Sequence, residues 1–209
     1  MRKLNLYMLD KIDNNSIRTV ISLKDKYKQS LKEYPEVLNR FNGINHFINN
    51  IKDGSSLSES YLRASLSELI SVDDILNKIY KIPFQIYKTK HPLLILLKII
   101  RNLNIHIEPN KISSKDIDVT LYKKDITIDI IYISDLTIEM LNKIRTVNKD
   151  YKNIKNYNDL KDTLHWFNNL CREIGIREIL FKAVDIYIEL LDEYYLNNIN
   201  KHKSSHHIK

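Results

Sequence analysis

The sequence predicts a mainly α-helical protein that carries one β-hairpin, and three observations lead to this fold class. Apolar residues recur every three to four positions through most of the chain, which is the spacing of amphipathic helices. The 209 residues include only 3 Gly and 4 Pro, too few for a turn-rich β-sandwich or barrel. Around residues 117–133 the pattern changes to alternation, which is typical of paired strands.

Four helices are predicted before the hairpin. Residues 14–16, Asn-Asn-Ser, offer N-caps for a first helix, and Pro35 fits the first turn of a second one. A strongly patterned third helix runs from about Glu59 to Tyr80. A fourth helix spans about 92–106, with a proline in its first turn and another proline shortly after its end.

The hairpin is predicted from two β-branched segments, Ile117–Tyr122 and Ile126–Ile133, joined by a turn at 123–125. A lone hairpin is marginal in water, so we expect it to lie on the helical body or to pair with a partner chain. Asp135 is then a suitable N-cap for a helix that continues to about Val147.

Two helices are predicted to close the chain, at about 158–174 and 177–198, with a hinge at Gly175. Residues 201–209 are expected to form a disordered basic tail. Because no convincing linker or internal repeat is visible, we expect residues 1–200 to form a single helical domain.

Charge and cysteine content limit the possible function classes. The net charge of +7 is compatible with a polyanionic partner such as RNA, but an even spread of lysines over the surface explains it equally well. The single cysteine, Cys171, excludes an internal disulfide, and its apolar surroundings predict a buried thiol. No signal peptide or membrane span is apparent, so we expect a cytoplasmic protein without membrane contact.

The fourth helix contains the one segment that suggests chemistry. Its first half is apolar on every side, which predicts burial in the core. Polar residues then appear within one arc of about 140°, namely Lys98, Arg101, Asn102 and His106. A guanidinium can bind phosphate oxygens through two hydrogen bonds, and an imidazole can exchange protons near neutral pH. The alternative is a core helix that emerges into solvent, with His106 interacting with the helix dipole.

The segment Arg101-Asn102-Leu103-Asn104-Ile105-His106 resembles the motif of the HEPN superfamily, in which an Arg and a polar residue precede a His late in an apolar helix. The resemblance implies a helical bundle that dimerises around the motif helices, with the segment at 117–133 as an insertion. Many members are metal-independent endoribonucleases, often toxins or antiviral effectors. It also implies that Arg101 binds the scissile phosphate, that His106 is the general acid or base, and that Asn102 assists them.

Some HEPN proteins lack nuclease activity, so the resemblance equally allows a non-catalytic module that binds RNA, a nucleotide or a protein partner. For the nuclease, the expected partners are a second copy, RNA and a cognate antitoxin or regulator. Lys98 and Arg63 are candidates for RNA binding. Arg63 and Glu68 could also face the motif helix and hold its polar groups; the alternative is that both are ordinary solvated charges. No metal-ligand spacing is present, and no cofactor is expected. A third reading is a regulatory protein whose hairpin adds to a partner's sheet.

Overall fold

The computed structural model describes residues 31–52, 57–106, 112–121, 124–134, 136–143 and 157–205. The predicted first helix therefore lies outside the described residues. The described part is mainly helical and has one antiparallel hairpin, which confirms the predicted fold class. Among the described residues no helix is long and apolar enough to cross a membrane.

The first two described helices form an antiparallel pair, α1 (Pro35–Asn50) and α2 (Ser58–Lys78). Pro35 begins α1, as the sequence predicts, because proline has the backbone angle that a first turn needs. At the connection, the Ser58 hydroxyl accepts a hydrogen bond from the backbone N–H of Lys52 at 2.9 Å. Further along the pair, Arg40 donates to both carboxylate oxygens of Glu68, at 2.7 and 2.9 Å.

The motif helix, α3 (Pro92–His106), lies at the centre of the described fold and follows a short 3-10 helix, Ile86–Thr89. It packs against α2 and against the long C-terminal helix, which is described below. All five residues from Leu93 to Leu97 are fully buried. The predicted bounds of this helix are confirmed, and so is its burial on every side in the first half.

The hairpin is longer than the alternating pattern suggests. Strand β1 (Ile112–Leu121) pairs antiparallel with β2 (Lys124–Ile133), with Ile112 opposite Ile133 and Leu121 opposite Lys124. The predicted start at 117 and the predicted turn at 123–125 are therefore wrong. Strand pairing depends on backbone hydrogen bonds, so the polar residues 113–116 and 124–125 join the ladder although their side chains do not alternate.

The short helix after the hairpin, α4 (Ile138–Asn142), begins later than predicted. Its N-cap is Thr137, whose hydroxyl accepts a hydrogen bond from the backbone N–H of Met140 at 3.3 Å. The prediction of Asp135 as the cap is wrong because the next residue, Leu136, is not helical. Asn168 holds the backbone of Leu136, accepting from its N–H at 3.3 Å and donating to its carbonyl at 2.9 Å.

The chain closes with α5 (Tyr157–Ser205), two helical halves joined at Gly175. Gly175 has φ +83° and ψ 162°, as a hinge at this position requires. A Cβ at Gly175 would lie 2.9 Å from Cγ2 of Ile130 and 3.0 Å from the carbonyl oxygen of Ile131, so the kink is also where β2 approaches α5. The helix is described as far as Ser205 and so includes the first residues of the predicted basic tail, while residues 206–209 lie outside the described residues.

Helix α5 joins the described elements into one core. Its first half contacts β2, where the backbone N–H of Ile133 donates to the sulfur of Cys171 at 3.3 Å. Cys171 is 1% exposed, which confirms the predicted buried thiol. Its second half contacts α1 and α3 through buried residues that include Ile179, Val184 and Tyr187.

Candidate functional site

The polar end of α3 places two of the three predicted catalytic residues side by side. Arg101 and Asn102 are partly buried, whereas their neighbours Ile100 and Leu103 are fully buried. His106 is the last residue of α3, and its side chain lies outside the described part of the structure. Five helical positions separate Arg101 from His106, which is about 7.5 Å along the helix axis.

The Arg101 guanidinium is held by its neighbour. Its Nη1 donates to Oδ1 of Asn102 at 3.0 Å, while its Nε is shielded from solvent and has no hydrogen-bond partner among the described residues. No carboxylate in this part of the chain forms an ion pair with Arg101. The structure therefore leaves the positive charge of Arg101 uncompensated by the described residues, at a position that the Asn102 amide fixes.

Lys98 lies one turn before Arg101 and is also partly buried. Its ammonium lies 4.7 Å from the ring centroid of Tyr87, which is a cation–π contact. Its charge also acts on Asp73, where it favours the ionised carboxylate. The structure thus brings Lys98 close to the predicted site but directs its charge toward Tyr87 and Asp73.

Arg63 and Glu68 are not brought to the end of α3 by any described contact. Arg63 is exposed on α2 and makes no hydrogen bond or ion pair with the described residues. Glu68 pairs with Arg40 on α1 instead. For Glu68, the alternative of an ordinary charge near the surface describes the structure better than a role in holding the motif helix.

A polar cluster that the sequence did not predict lies behind Lys98. The carboxylate of Asp73 on α2 accepts the backbone N–H of Ile86 at 2.9 and 3.2 Å. It also accepts the hydroxyl of Tyr187 on α5 at 2.7 Å. One carboxylate therefore connects α2, the 3-10 helix and α5, next to the ammonium of Lys98.

A signal for Asp73 is present in the sequence. It falls within the apolar series of α2, in which residues four and three positions apart face the core: Leu62, Leu66, Leu69, Asp73 and Leu76. A carboxylate at such a position needs hydrogen-bond donors from other elements, because burial of an unpaired charge is costly. That argument identifies Asp73 as a polar core residue, but it does not identify its partners.

Burial determines the titration of this cluster. It raises the pKa of the Asp73 carboxyl from 3.8 to about 6, because the loss of solvation outweighs the hydrogen bonds and the charge of Lys98, which favour the ionised form. Burial and the neighbouring Asp73 together raise the pKa of Tyr187 well above its usual range. Tyr187 therefore remains a hydrogen-bond donor at every physiological pH.

The cluster is closed by aromatic packing. The Tyr187 ring is fully buried and meets Phe41 edge-on at 5.7 Å and Phe84 at 5.2 Å. Phe84 also packs edge-on against Tyr194 at 5.7 Å. The hydroxyl that bonds to Asp73 therefore belongs to a ring that is itself buried among aromatic rings.

The part of the chain that the structure describes contains no evident metal site. No group of three or more His, Cys, Asp or Glu side chains is arranged there to hold a metal ion.

In comparisons with known proteins, no family model, no curated protein and no solved structure matches the chain.

Proposed function

We propose that this protein is a metal-independent endoribonuclease of the HEPN type that cleaves RNA through Arg101 and His106 in a homodimer. One observation carries the proposal. The Arg101 guanidinium lies at the polar end of a buried helix, fixed by Asn102 at 3.0 Å and without a carboxylate partner among the described residues. A cation held in this way is suited to a phosphate, which can accept two of its hydrogen bonds.

The proposed reaction is an internal phosphoryl transfer. The 2′-oxygen of a ribose attacks the adjacent phosphorus while the bond to the 5′-oxygen of the next nucleotide breaks. Arg101 binds the non-bridging oxygens and stabilises the negative charge that develops on them. His106 exchanges protons with the attacking or the leaving oxygen. Asn102 holds the guanidinium, so the cation is in place before substrate binds.

A homodimer would satisfy the proton balance of this reaction. One group must remove the proton of the 2′-hydroxyl, and another must protonate the 5′-oxygen that leaves. The Arg101–His106 motif supplies one imidazole per chain. Two copies with their α3 helices together would supply both groups, which agrees with the dimer that the family resemblance implies.

The proposed biological role is that of a toxin or anti-phage effector in the cytoplasm. Such a ribonuclease would also cleave the RNA of its own cell unless its activity were restrained. We therefore expect a cognate antitoxin or a regulatory protein that covers the end of α3 or prevents dimer formation.

A non-catalytic module is the second candidate function, and the same hydrogen bond favours it. Because Arg101 is partly buried and bonded to Asn102, the pair can also serve to satisfy polar groups at the end of a core helix. Such a module would bind RNA, a nucleotide or a protein partner without cleaving it. Stability separates the two functions. Loss of folding in Arg101→Ala and His106→Ala supports the structural role, whereas folded but inactive variants support catalysis.

The test is an RNA-cleavage assay in excess EDTA that compares the wild type with His106→Ala. His165→Ala is the matched control, because His165 is exposed on α5 and its ring bonds only to Asn169. Cleavage that survives EDTA, persists in His165→Ala and disappears in His106→Ala supports the proposal. Wild-type protein that binds RNA but never cleaves it, alone or after removal of co-purified proteins, contradicts the proposal and favours the module.

A further inference from the structure

A cleft of about 280 Å³ lies between the segment that enters the 3-10 helix and the C-terminal half of α5. Its apolar lining includes Pro83, Phe84, Leu190 and Tyr194. The rings of Phe84 and Tyr194 pack edge-on at 68°, so the cleft offers an aromatic surface already held in place. This lining does not include Arg101, Asn102 or Lys98, and it adjoins the aromatic packing around Tyr187 through Phe84.

Two opposite charges flank the aromatic surface. Lys88 and Glu193 both line the cleft and are both exposed. Neither side chain forms an ion pair with the other or with any other described residue. Their charges, one positive and one negative, therefore lie at the lining of the same cleft as the aromatic rings.

Two polar side chains at the cleft differ in whether they can still bond to a ligand. The Thr89 hydroxyl donates to the carbonyl of Ile86 at 2.6 Å and accepts from the N–H of His91 at 3.2 Å, so it is committed within the protein. The side-chain oxygen of Gln85 accepts no hydrogen bond from the described residues and is shielded from solvent. A rotation of that amide would give the cleft an acceptor for a ligand N–H.

We propose that this cleft binds a small zwitterion with an apolar ring, namely an aromatic α-amino acid. The ring would lie on Phe84 and Tyr194, the carboxylate near Lys88, and the ammonium near Glu193. The size agrees, because ligand sites for larger molecules span roughly 300–1,000 Å³ and this cleft lies just below that range. The proposal concerns a site separate from Arg101 and does not depend on RNA cleavage.

The first arm of the test varies the ligand. Isothermal titration calorimetry at neutral pH compares L-phenylalanine with three analogues: 3-phenylpropionate, which lacks the ammonium, 2-phenylethylamine, which lacks the carboxylate, and glycine, which lacks the ring. We expect L-phenylalanine to bind with a dissociation constant below about 1 mM, and each analogue to bind at least about tenfold more weakly. No binding of L-phenylalanine at about 10 mM, or equal binding of 3-phenylpropionate, overturns the proposal.

The second arm varies the protein. Lys88→Gln should weaken the binding of L-phenylalanine about tenfold. It should leave the binding of 2-phenylethylamine unchanged, because that analogue has no carboxylate to pair with Lys88. Glu193→Gln should also weaken the binding of L-phenylalanine, but it should leave the binding of 3-phenylpropionate unchanged, because that analogue has no ammonium group. Lys161→Gln and Glu59→Gln are matched controls, since both residues are exposed and neither lines the cleft. Binding that the cleft variants and the controls affect equally overturns the proposal.

Discussion

The hydroxyl of Tyr187 donates a hydrogen bond to the carboxylate of Asp73 at 2.7 Å, across 114 positions of sequence. This bond joins the second half of α5 to α2, and the same carboxylate accepts the backbone N–H of Ile86. The motif helix begins six residues after Ile86, so the bond also fixes the segment from which α3 starts. The Asp73 hydrogen bonds thus hold both the contact between α2 and α5 and the segment that leads into the motif helix.

The pH dependence of stability tests the state of Asp73. Its pKa is raised in the folded protein, from 3.8 to about 6, so the folded state binds more protons than the unfolded state between these values. Stability from this group is present at low pH and is lost as pH rises from about 4 to about 6, by at most about 3 kcal/mol. Asp73→Asn removes the titration, so its unfolding free energy relative to wild type should rise over that range. Urea denaturation at pH 4.5 and pH 7.5 measures the difference, and parallel pH profiles would contradict it.

Removal of the Tyr187 hydroxyl tests the hydrogen bond directly. Tyr187→Phe keeps the buried ring but leaves Asp73 with one donor fewer, and we expect a loss of about 1–3 kcal/mol at pH 7.5. The loss should shrink at low pH, where the carboxyl is protonated. Tyr61→Phe is the control, because the Tyr61 ring stacks on Phe47 and its hydroxyl makes no bond with the described residues. Equal losses in the two variants would contradict the role of the bond.

The two described glycines, Gly43 and Gly175, should respond to alanine in opposite directions. Gly175→Ala places a Cβ 2.9 Å from Ile130 at a positive φ, so we expect a loss of at least about 2 kcal/mol. Gly43→Ala lies within α1 with nothing within 4 Å of the new Cβ, and it should stabilise by up to about 1 kcal/mol. Thermal and chemical unfolding measure both. A tolerated Gly175→Ala would mean that β2 does not lie against the kink.

Asn168 should be essential for the entry into α4. Asn168→Ala removes both hydrogen bonds to the buried backbone of Leu136, which should cost about 2 kcal/mol. Asn169→Ala is the neighbouring control, because Asn169 is exposed and bonds only to His165, so its effect should stay within about 0.5 kcal/mol. Protease sensitivity of residues 134–143 would report the local loosening. Equal stability of the two variants would contradict this role.

The proposed cleavage needs the planar set of N–H donors of the Arg101 guanidinium as well as its positive charge. Arg101→Lys keeps the charge but loses the planar set of donors, so the cleavage rate should fall about a hundredfold. Arg172→Lys should leave the rate unchanged, since Arg172 is exposed on the first half of α5 and is not a candidate for RNA binding. Single-turnover cleavage of a labelled RNA measures both. An active Arg101→Lys would contradict the proposed binding of two phosphate oxygens.

Helix bounds were largely predictable from sequence, because local signals set them. Pro35 and Pro92 mark the starts of α1 and α3, and the apolar spacing carries each helix onward. The start of β1 and the cap of α4 were not predictable. They depend on pairing with β2 and on the Asn168 contact with Leu136, which lies 32 positions away.

The candidate site divides in the same way. Arg101 and Asn102 are neighbours on one helix, so a short motif was enough to bring them together. Lys98 lies one turn before Arg101 on the same helix, so its position was predictable too, but its contacts with Tyr87 and Asp73 were not. Asp73 receives its donors from the 3-10 helix and from α5, and no local pattern encodes a contact among three separate elements.

Helix α5 follows the other described elements along the chain, and this order has a consequence for folding during synthesis. A ribosome makes α1, α2, α3 and the hairpin before Cys171, Gly175 and Tyr187 exist to cover them. Until then, the apolar surfaces of α3 and β2 lack their partner, and Asp73 lacks a donor. A nascent chain would therefore leave these apolar surfaces uncovered, and open to chaperones, until α5 has emerged.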